Sequence, residues 1–260
     1  ISNNYGRGIY LRYSDSATIA ENVVENNGGY GVWLVLSRNS VVERNIVNNN
    51  YDSNIVIEQS SESLITGNTA RKTEFSIVLQ DTEDCILQEN KISDSYVGLW
   101  VSTAFNTTVA GNSITNNSVG VRIYGSGNIF YHNNFINNTM FQVQVPSHEA
   151  NIWDNGYPSA GNYWSGYTDV DIHRGPNQDT KGVDGVWDHP YIIDGNNTDN
   201  YALVKPYISG NLTVSIYTDK YTYHAGDTMR LGLNIANPDS VKYVCFAIWI
   251  EFPGGSKRLY

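Results

Sequence analysis

The 260-residue chain is predicted to be an all-β protein, built on a right-handed parallel β-helix of about seven coils of 20–23 residues. Apolar triplets and single asparagines both recur every 21–23 residues, and none of the seven prolines precedes Pro146. This absence of proline suits a stacked interior, where every backbone amide has to donate a hydrogen bond. We expect the β-helix over residues 1–157, a cap with an acidic loop over 158–208, and part of an Ig-like β-sandwich over 209–260.

The triplets predict the stacked strands. Their starting residues lie 23, 23, 22, 22 and 22 positions apart, and they occupy Gly8–Leu11, Gly31–Leu34, Asn54–Ile57, Ser76–Leu79, Gly98–Val101 and Gly120–Ile123. Residues alternate in side-chain direction along a strand, so Ile9 and Leu11 should point inward and Tyr10 outward. Each residue should then stack about 4.8 Å above its equivalent in the preceding coil.

A second apolar row lies three residues before a recurrent asparagine, which is predicted to form a polar ladder. The row comprises Ile19, Val42, Ile65, Leu87, Val109, Phe130 and Ile152. The asparagines are Asn22, Asn45, Asn68, Asn90, Asn112, Asn133 and Asn155. We expect them at bends, because Asn tolerates left-handed backbone geometry and stacked amides can bond along the ladder.

The asparagine-rich coils of residues 1–157 resemble the NosD-type family of carbohydrate-binding and sugar-hydrolase-like β-helix repeats found in archaeal cell-surface proteins. The run Gly161–Trp164 and the segment Asp188–Asp194 are similar to the closing module that follows such coils. The resemblance implies an architecture more than an activity, because pectinolytic enzymes, epimerases and inert stalks share this fold.

The cap contains a cluster of aspartates that suggests a calcium site, an expectation strengthened by the family resemblance. Calcium takes six to eight oxygen ligands from carboxylates and carbonyls. The candidate ligands are Asp169, Asp171, Asp179, Asp184 and Asp188. The alternative is a solvated acidic loop on an acidic protein.

Composition restricts the partners. Sixteen Lys and Arg against 26 Asp and Glu give a formal net charge of −10, which argues against nucleic acid. No apolar stretch approaches the length of a membrane helix. We find no carboxylate pair suited to acid–base chemistry, so no catalytic residue is assigned. The five histidines are dispersed, which also argues against the copper site that the family name implies.

The middle residues of the triplets predict an outward row that serves as a protein interface or a glycan platform. The row comprises Tyr10, Trp33, Val56, Val78, Trp100 and Arg122. Exposed aromatic and aliphatic side chains in a contiguous patch usually mark a contact surface. The alternative is that a loop or the C-terminal module covers them. Arg122 is expected to be a solvated or stacking side chain rather than a lyase base.

Five sequons predict N-linked glycans at Asn106, Asn116, Asn137, Asn196 and Asn211. With the resemblance, these features favour an extracellular, non-enzymatic structural or adhesion protein of an archaeal envelope, such as an S-layer, sheath or surface-filament subunit. It would be a homo-oligomer or polymer that assembles through the outward row. The alternative is a carbohydrate-binding or polysaccharide-degrading β-helix protein.

Overall fold

The computed structural model describes residues 1–146, 148–208, 213–218, 231–236, 249–251 and 257–259. The chain divides into two compact units, Ile1–Ile208 and Ser209–Tyr260. The secondary structure assigned in these residues is β-strand and bridge, as predicted, with no helix among them. The described residues therefore contain no helix that could cross a membrane.

The first unit is a parallel β-solenoid of six complete turns, each with three strands. The first sheet contains β1 (Ile9–Arg12), β4 (Val32–Val35), β7 (Ser53–Glu58), β10 (Phe75–Gln80), β13 (Val97–Ser102), β16 (Val119–Tyr124) and β19 (Phe141–Gln144). The second contains β2 (Thr18–Ala20), β5 (Val41–Glu43), β8 (Leu64–Thr66), β11 (Ile86–Gln88), β14 (Thr108–Ala110) and β17 (Ile129–Tyr131). The third contains β3 (Val23–Glu25), β6 (Ile46–Asn48), β9 (Thr69–Arg71), β12 (Lys91–Ser93), β15 (Ser113–Thr115), β18 (Asn134–Ile136) and β20 (Tyr163–Trp164).

The core consists of stacked aliphatic rows. Ile9 pairs with Val32 and Val32 with Ile55, as the triplets predict, and the row continues to Val121. The members from Val32 onward are fully buried. Burial of each such side chain contributes roughly 1.5–3 kcal/mol, so the repeated rows supply the main driving force for folding.

Asparagine ladders hold the bends together. In the principal ladder each side-chain amide donates to the side-chain oxygen of the next asparagine at 2.9–3.0 Å, from Asn22 through Asn45 and onward to Asn133. The last asparagine of this ladder is Asn162, which accepts from Asn133 at 2.9 Å, so the prediction of Asn155 in this position is wrong. The left-handed backbone also lies one residue earlier than expected, for example at Glu21 (φ 58°).

Aromatic rings and a buried carboxylate close the solenoid at its C-terminal end. Trp153 stacks on Phe130 at 4.5 Å, and Trp164 stacks on Phe135 at 4.3 Å. Asp199 is fully buried and accepts hydrogen bonds from the backbone and side chain of Asn162, from the Trp164 indole and from the Tyr201 backbone. The asparagine ladder therefore ends on a carboxylate.

The remaining strands form antiparallel pairs. Within the first unit, β21 (His173–Arg174) pairs with β22 (Thr180–Lys181), and β23 (Tyr191–Ile192) with β24 (Thr198–Asp199). In the second unit, β25 (Thr213–Thr218) pairs with β26 (Leu231–Ala236), and β27 (Trp249–Glu251) with β28 (Lys257–Leu259). Most of the predicted sandwich lies outside the described residues.

Replacing a central asparagine of the ladder should destabilise the solenoid. In Asn68→Ala the backbone N–H and side-chain amide of Asn45 lose their shared acceptor, and the Val42 carbonyl loses a donor. We expect a loss of about 2–4 kcal/mol in the free energy of unfolding, measured by urea denaturation. Asn177→Ala, at an exposed turn, is the control. Equal stability of the two variants would contradict a structural role for the ladder.

Stability of the cap should fall as pH rises. Burial raises the pKa of Asp199 from 3.8 to about 7, although its four N–H donors favour the charged form. Because the folded-state pKa lies above the unfolded one, the contribution to stability is fully present below pH 3.8 and is lost as pH rises through about 7. Urea midpoints should therefore decrease across this range in the wild type and change less in Asp199→Asn. Parallel profiles would contradict the assignment.

Candidate functional site

The outward row of the first sheet has the predicted register but not the predicted exposure. Tyr10 pairs with Trp33 and Val78 with Trp100, and the Tyr10 side chain is 42% exposed. Val56 and Val78 are each only 4% exposed. Their expected place in an exposed apolar patch is therefore wrong: the two valines lie between the tryptophans of neighbouring strands, whose large rings shield them from water.

Trp33 of this row contacts neighbouring aromatic rings and a cation. Trp33 lies 4.8 Å from Tyr10 and 5.3 Å from Tyr30, with the Arg7 guanidinium 4.2 Å from its ring centroid. The Trp33 indole N–H donates to Glu58 at 2.9 Å. Cation–π and edge-to-face contacts of this kind stabilise the cluster and occupy the faces that a sugar would need.

Arg122 lies beside a tyrosine ring, which is compatible with the predicted stacking role. Its Nε donates to Gln144 Oε1 at 2.9 Å, and its guanidinium lies 5.8 Å from the Tyr96 ring centroid. Both contacts hold the group against the outer face of the solenoid. Gln144 and Tyr96 thus fix its orientation.

The acidic loop is held by hydrogen bonds, and the prediction of calcium is wrong. No group of three or more His, Cys, Asp or Glu side chains among the described residues could hold a metal ion. The Asp171 carboxylate accepts the backbone N–H groups of Asp184 and Gly185 at 3.1 Å. Asp184 in turn accepts from Gln178, and Asp179 is exposed. Backbone and side-chain donors therefore take the places that calcium would fill.

Two aspartates of the same loop pair with histidines instead. Asp188 lies 2.6 Å from His173 Nδ1, and Asp169 lies 2.7 Å from His189 Nδ1. Although burial opposes ionisation, hydrogen bonds from the paired histidines lower the pKa of both carboxyl groups. The pairs fasten the beginning of the acidic loop, at Asp169 and His173, to its end, at Asp188 and His189.

The histidines do not fit the copper site that the resemblance implies. A copper site takes several imidazole or thiolate ligands around one point. His132 is buried beside the Ser159 carbonyl and stacks on Tyr207, whereas His148 lies at the surface beside Glu149. His173 and His189 use Nδ1 for carboxylates. His224 lies outside the described residues.

Four of the five sequon asparagines are exposed. Asn106, Asn116 and Asn137 occupy bends with φ of 48°, 56° and 54°, and Asn196 lies in the cap. Asn211 falls outside the residues that the structure describes. Exposure is compatible with N-glycosylation, which stays a prediction.

Sequence reasoning missed a groove of about 720 Å³ at the bend between the third and first sheets. Its lining consists of Asn3, Asn4, Tyr5, Asn26, Asn27, Gly28, Asn49, Asn50, Tyr51, Lys72 and Thr73. The signal was present as three tripeptides at the 23-residue period, each an Asn pair followed by Tyr or Gly. We call this the corner groove.

Each bend places its residues alternately outside and inside. The first residue has a left-handed backbone and an exposed side chain, as at Asn26 (φ 57°) and Asn49 (φ 53°). The second points inward and forms a further ladder, in which Asn4 donates to Asn27 at 2.8 Å and Asn27 to Asn50 at 2.9 Å. The buried ladder thereby fixes the outer amides in position.

Two tyrosines flank a gap in the corner groove. Tyr5 is fully exposed and Tyr51 is 79% exposed. Gly28 lies between them, and a Cβ there would approach the Tyr5 carbonyl oxygen to 2.4 Å, so only glycine fits. Lys72 is the one charged residue in the lining given above. The groove thus presents amides and phenol rings with a single positive charge.

If the outward row is a contact between chains, removing its indoles should abolish association. We expect Trp33→Ser combined with Trp100→Ser to stay folded by circular dichroism, because neither ring lies in the core, while light scattering shows the loss of any oligomer. Tyr13→Ser, at an exposed bend away from the row, is the control. An unchanged oligomer, or a wild type that is monomeric at all concentrations, would contradict the interface.

Comparison with solved structures places this fold among β-helix proteins. A mutant of the periplasmic alginate epimerase AlgG matches with a TM-score of 0.51 and 19% identity over 54% of this chain and 36% of the other. DFA-IIIase from Arthrobacter chlorophenolicus A6, without its lid, gives 0.46 and 13% over 68% and 52%. The A-module of the mannuronan C-5 epimerase AlgE6 of Azotobacter vinelandii gives 0.35 and 14% over 56% and 57%. The chain thus spans about a third to just over half of these structures, and the likeness to AlgG shows a common fold alone.

No curated protein matches the chain. The sequence profile of the family described as "Periplasmic copper-binding protein (NosD)" matches residues 1–169, which include every strand of the three parallel sheets. The periplasmic description agrees with the expected export to the cell envelope, whereas none of the comparisons supports an archaeal origin. The chain belongs to the NosD family.

Proposed function

We propose that this chain is a non-catalytic glycan-binding domain of the cell envelope and that the corner groove is its binding site. The observation that carries the proposal is the pairing of exposed tyrosines with outward amides on a fixed backbone. The family's periplasmic description supports a place where polysaccharides are encountered.

The chemistry of the lining suits sugars. An asparagine side chain offers two donors and an acceptor with two lone pairs, which match the hydroxyl groups of a pyranose. A tyrosine ring supplies an apolar face for the C–H side of the sugar and a hydroxyl at its edge. The outer amides of Asn26 and Asn49 bond to each other, so little ordering is required when a ligand arrives.

Binding is favoured over turnover because the groove lacks acid–base groups. Glycosidases use two carboxylic side chains, and other sugar-modifying enzymes also need a positioned base. The lining contains no Asp, Glu or His. The likeness to the AlgG epimerase concerns the fold alone and does not bear on this choice.

A self-assembling envelope scaffold is the second candidate. Tyr10 keeps 42% of its surface exposed at one end of the outward row, which is the observation in its favour. With Val56 and Val78 buried, the available contact surface is smaller than the sequence indicated. S-layer, sheath and adhesion roles stay predictions without support from the comparisons.

Affinity electrophoresis tests the glycan-binding proposal. The wild-type chain should be retarded in native gels that contain a soluble neutral polysaccharide, either a β-glucan or a mannan. Tyr51→Ala should weaken binding about tenfold, equivalent to about 1.4 kcal/mol, because one stacking face is lost.

Tyr124→Ala is the matched control, since this ring is 48% exposed on the first sheet and does not line the groove. Asn49→Gly keeps the left-handed backbone and removes the side chain with its amide, so it should also weaken binding. Full retardation of both groove variants, or no retardation of the wild type by either polymer, would overturn the proposal.

A further inference from the structure

We infer that the binding surface continues beyond the corner groove to Tyr96 and that its ligand is a linear, uncharged polysaccharide lying parallel to the solenoid axis. This inference rests on the proposed function and specifies the class of glycan. It depends on tyrosines that occupy every second turn at the bend between the third and first sheets.

Tyr5, Tyr51 and Tyr96 occupy the same place on the first, third and fifth of these bends. The Tyr51 backbone N–H donates to the carbonyl of Asn27 in the preceding turn at 3.0 Å, and the Tyr96 N–H donates to that of Thr73 at 3.2 Å. Each of these tyrosines therefore comes directly after the bend residue whose side chain points inward and belongs to the ladder. We call Tyr5, Tyr51 and Tyr96 the tyrosine row.

The intervening bends do not carry a ring. Gly28 occupies the second and Glu74 the fourth, so the tyrosines are separated by two turns of the solenoid. Turns stack about 4.8 Å apart, which spaces the rings at about 10 Å and extends the row over about 19 Å. In an extended β-linked pyranose chain, alternate sugars present the same face, so a two-turn period can meet such a polymer repeatedly.

All three rings are accessible. Tyr5 and Tyr51 project almost completely into solvent, and Tyr96 is 46% exposed. The Arg122 guanidinium lies 5.8 Å from the Tyr96 ring centroid, farther than the 4.2 Å between Arg7 and the Trp33 ring, so it covers less of the tyrosine face. A surface of this length would be redundant for a single sugar, whereas a polymer can occupy all of it.

The charge of the whole chain, rather than the charges along the row, disfavours a polyanion. Glu74 lies on the fourth bend and Asp94 on the fifth, beside Tyr96, and both are exposed. Two cations, Arg122 and the exposed Lys72, balance them locally. The whole chain carries a formal charge of −10. A uronate polymer would meet repulsion at long range, whereas the hydroxyl groups of a neutral glycan can donate to the Glu74 and Asp94 carboxylates.

Calorimetry with oligosaccharides of increasing length tests the inference. The probes are β-linked oligomers of glucose and of mannose, from the disaccharide to the hexasaccharide, with alginate oligomers as the anionic comparison. For the wild type we expect affinity to rise about tenfold or more from disaccharide to hexasaccharide in at least one neutral series, with no binding of alginate.

Variants separate the groove from its extension. Tyr96→Ala should leave disaccharide affinity unchanged and remove the gain with length, whereas Tyr51→Ala should weaken every length. Tyr124→Ala should match the wild type, and circular dichroism checks that each variant is folded.

The outcomes distinguish the extended binding surface from the corner groove. Affinity that is flat above the disaccharide, a Tyr96→Ala variant with wild-type behaviour, or preferential binding of alginate would overturn the extended neutral ligand while leaving the groove intact. Failure of the wild type to bind any oligomer or polymer would instead overturn the proposed function itself.

Discussion

Hydrogen bonding between consecutive turns is the constraint on which the whole solenoid depends. Every strand of the three sheets pairs in parallel with its equivalent one turn away, so the spacing of about 4.8 Å applies to every residue at once. The bends preserve this register because stacked side chains bond to the backbone and to one another, as between Asn68 and Asn90. A change at one bend therefore propagates to the neighbouring turns.

Aromatic rings and a buried carboxylate close the C-terminal end of the repeat. At the C-terminal end, Trp153 and Trp164 cover the last phenylalanines of the core, and Asp199 receives the last donors of the ladder. A buried carboxylate is an effective acceptor but a costly one, which is why its pKa rises to about 7. The acidic loop beyond it is fastened by aspartate–histidine pairs, which leaves the expected metal ligands already occupied.

The same repetition can produce a binding surface. Because each bend repeats a left-handed residue followed by an inward ladder residue, outward side chains are presented at a constant interval on a rigid backbone. Such a surface suits a ligand that is itself periodic. The family name refers to copper, but the described histidines serve carboxylates, a carbonyl and ring stacking, and the corner groove offers amides and phenol rings instead.

The sequence by itself determined the features that follow the repeat: the strand register, the aliphatic rows and the ladder from Asn22 to Asn133. A fixed period constrains these because each residue contacts its equivalent 21–23 positions away. Only the tertiary structure decided where the period ends. Asn162 replaces Asn155 because an acceptor 37 residues further along, Asp199, closes the ladder. The burial of Val56 and Val78, the aspartate–histidine pairs and the corner groove also depend on side-chain packing between turns and across the cap loop, which no single repeat encodes.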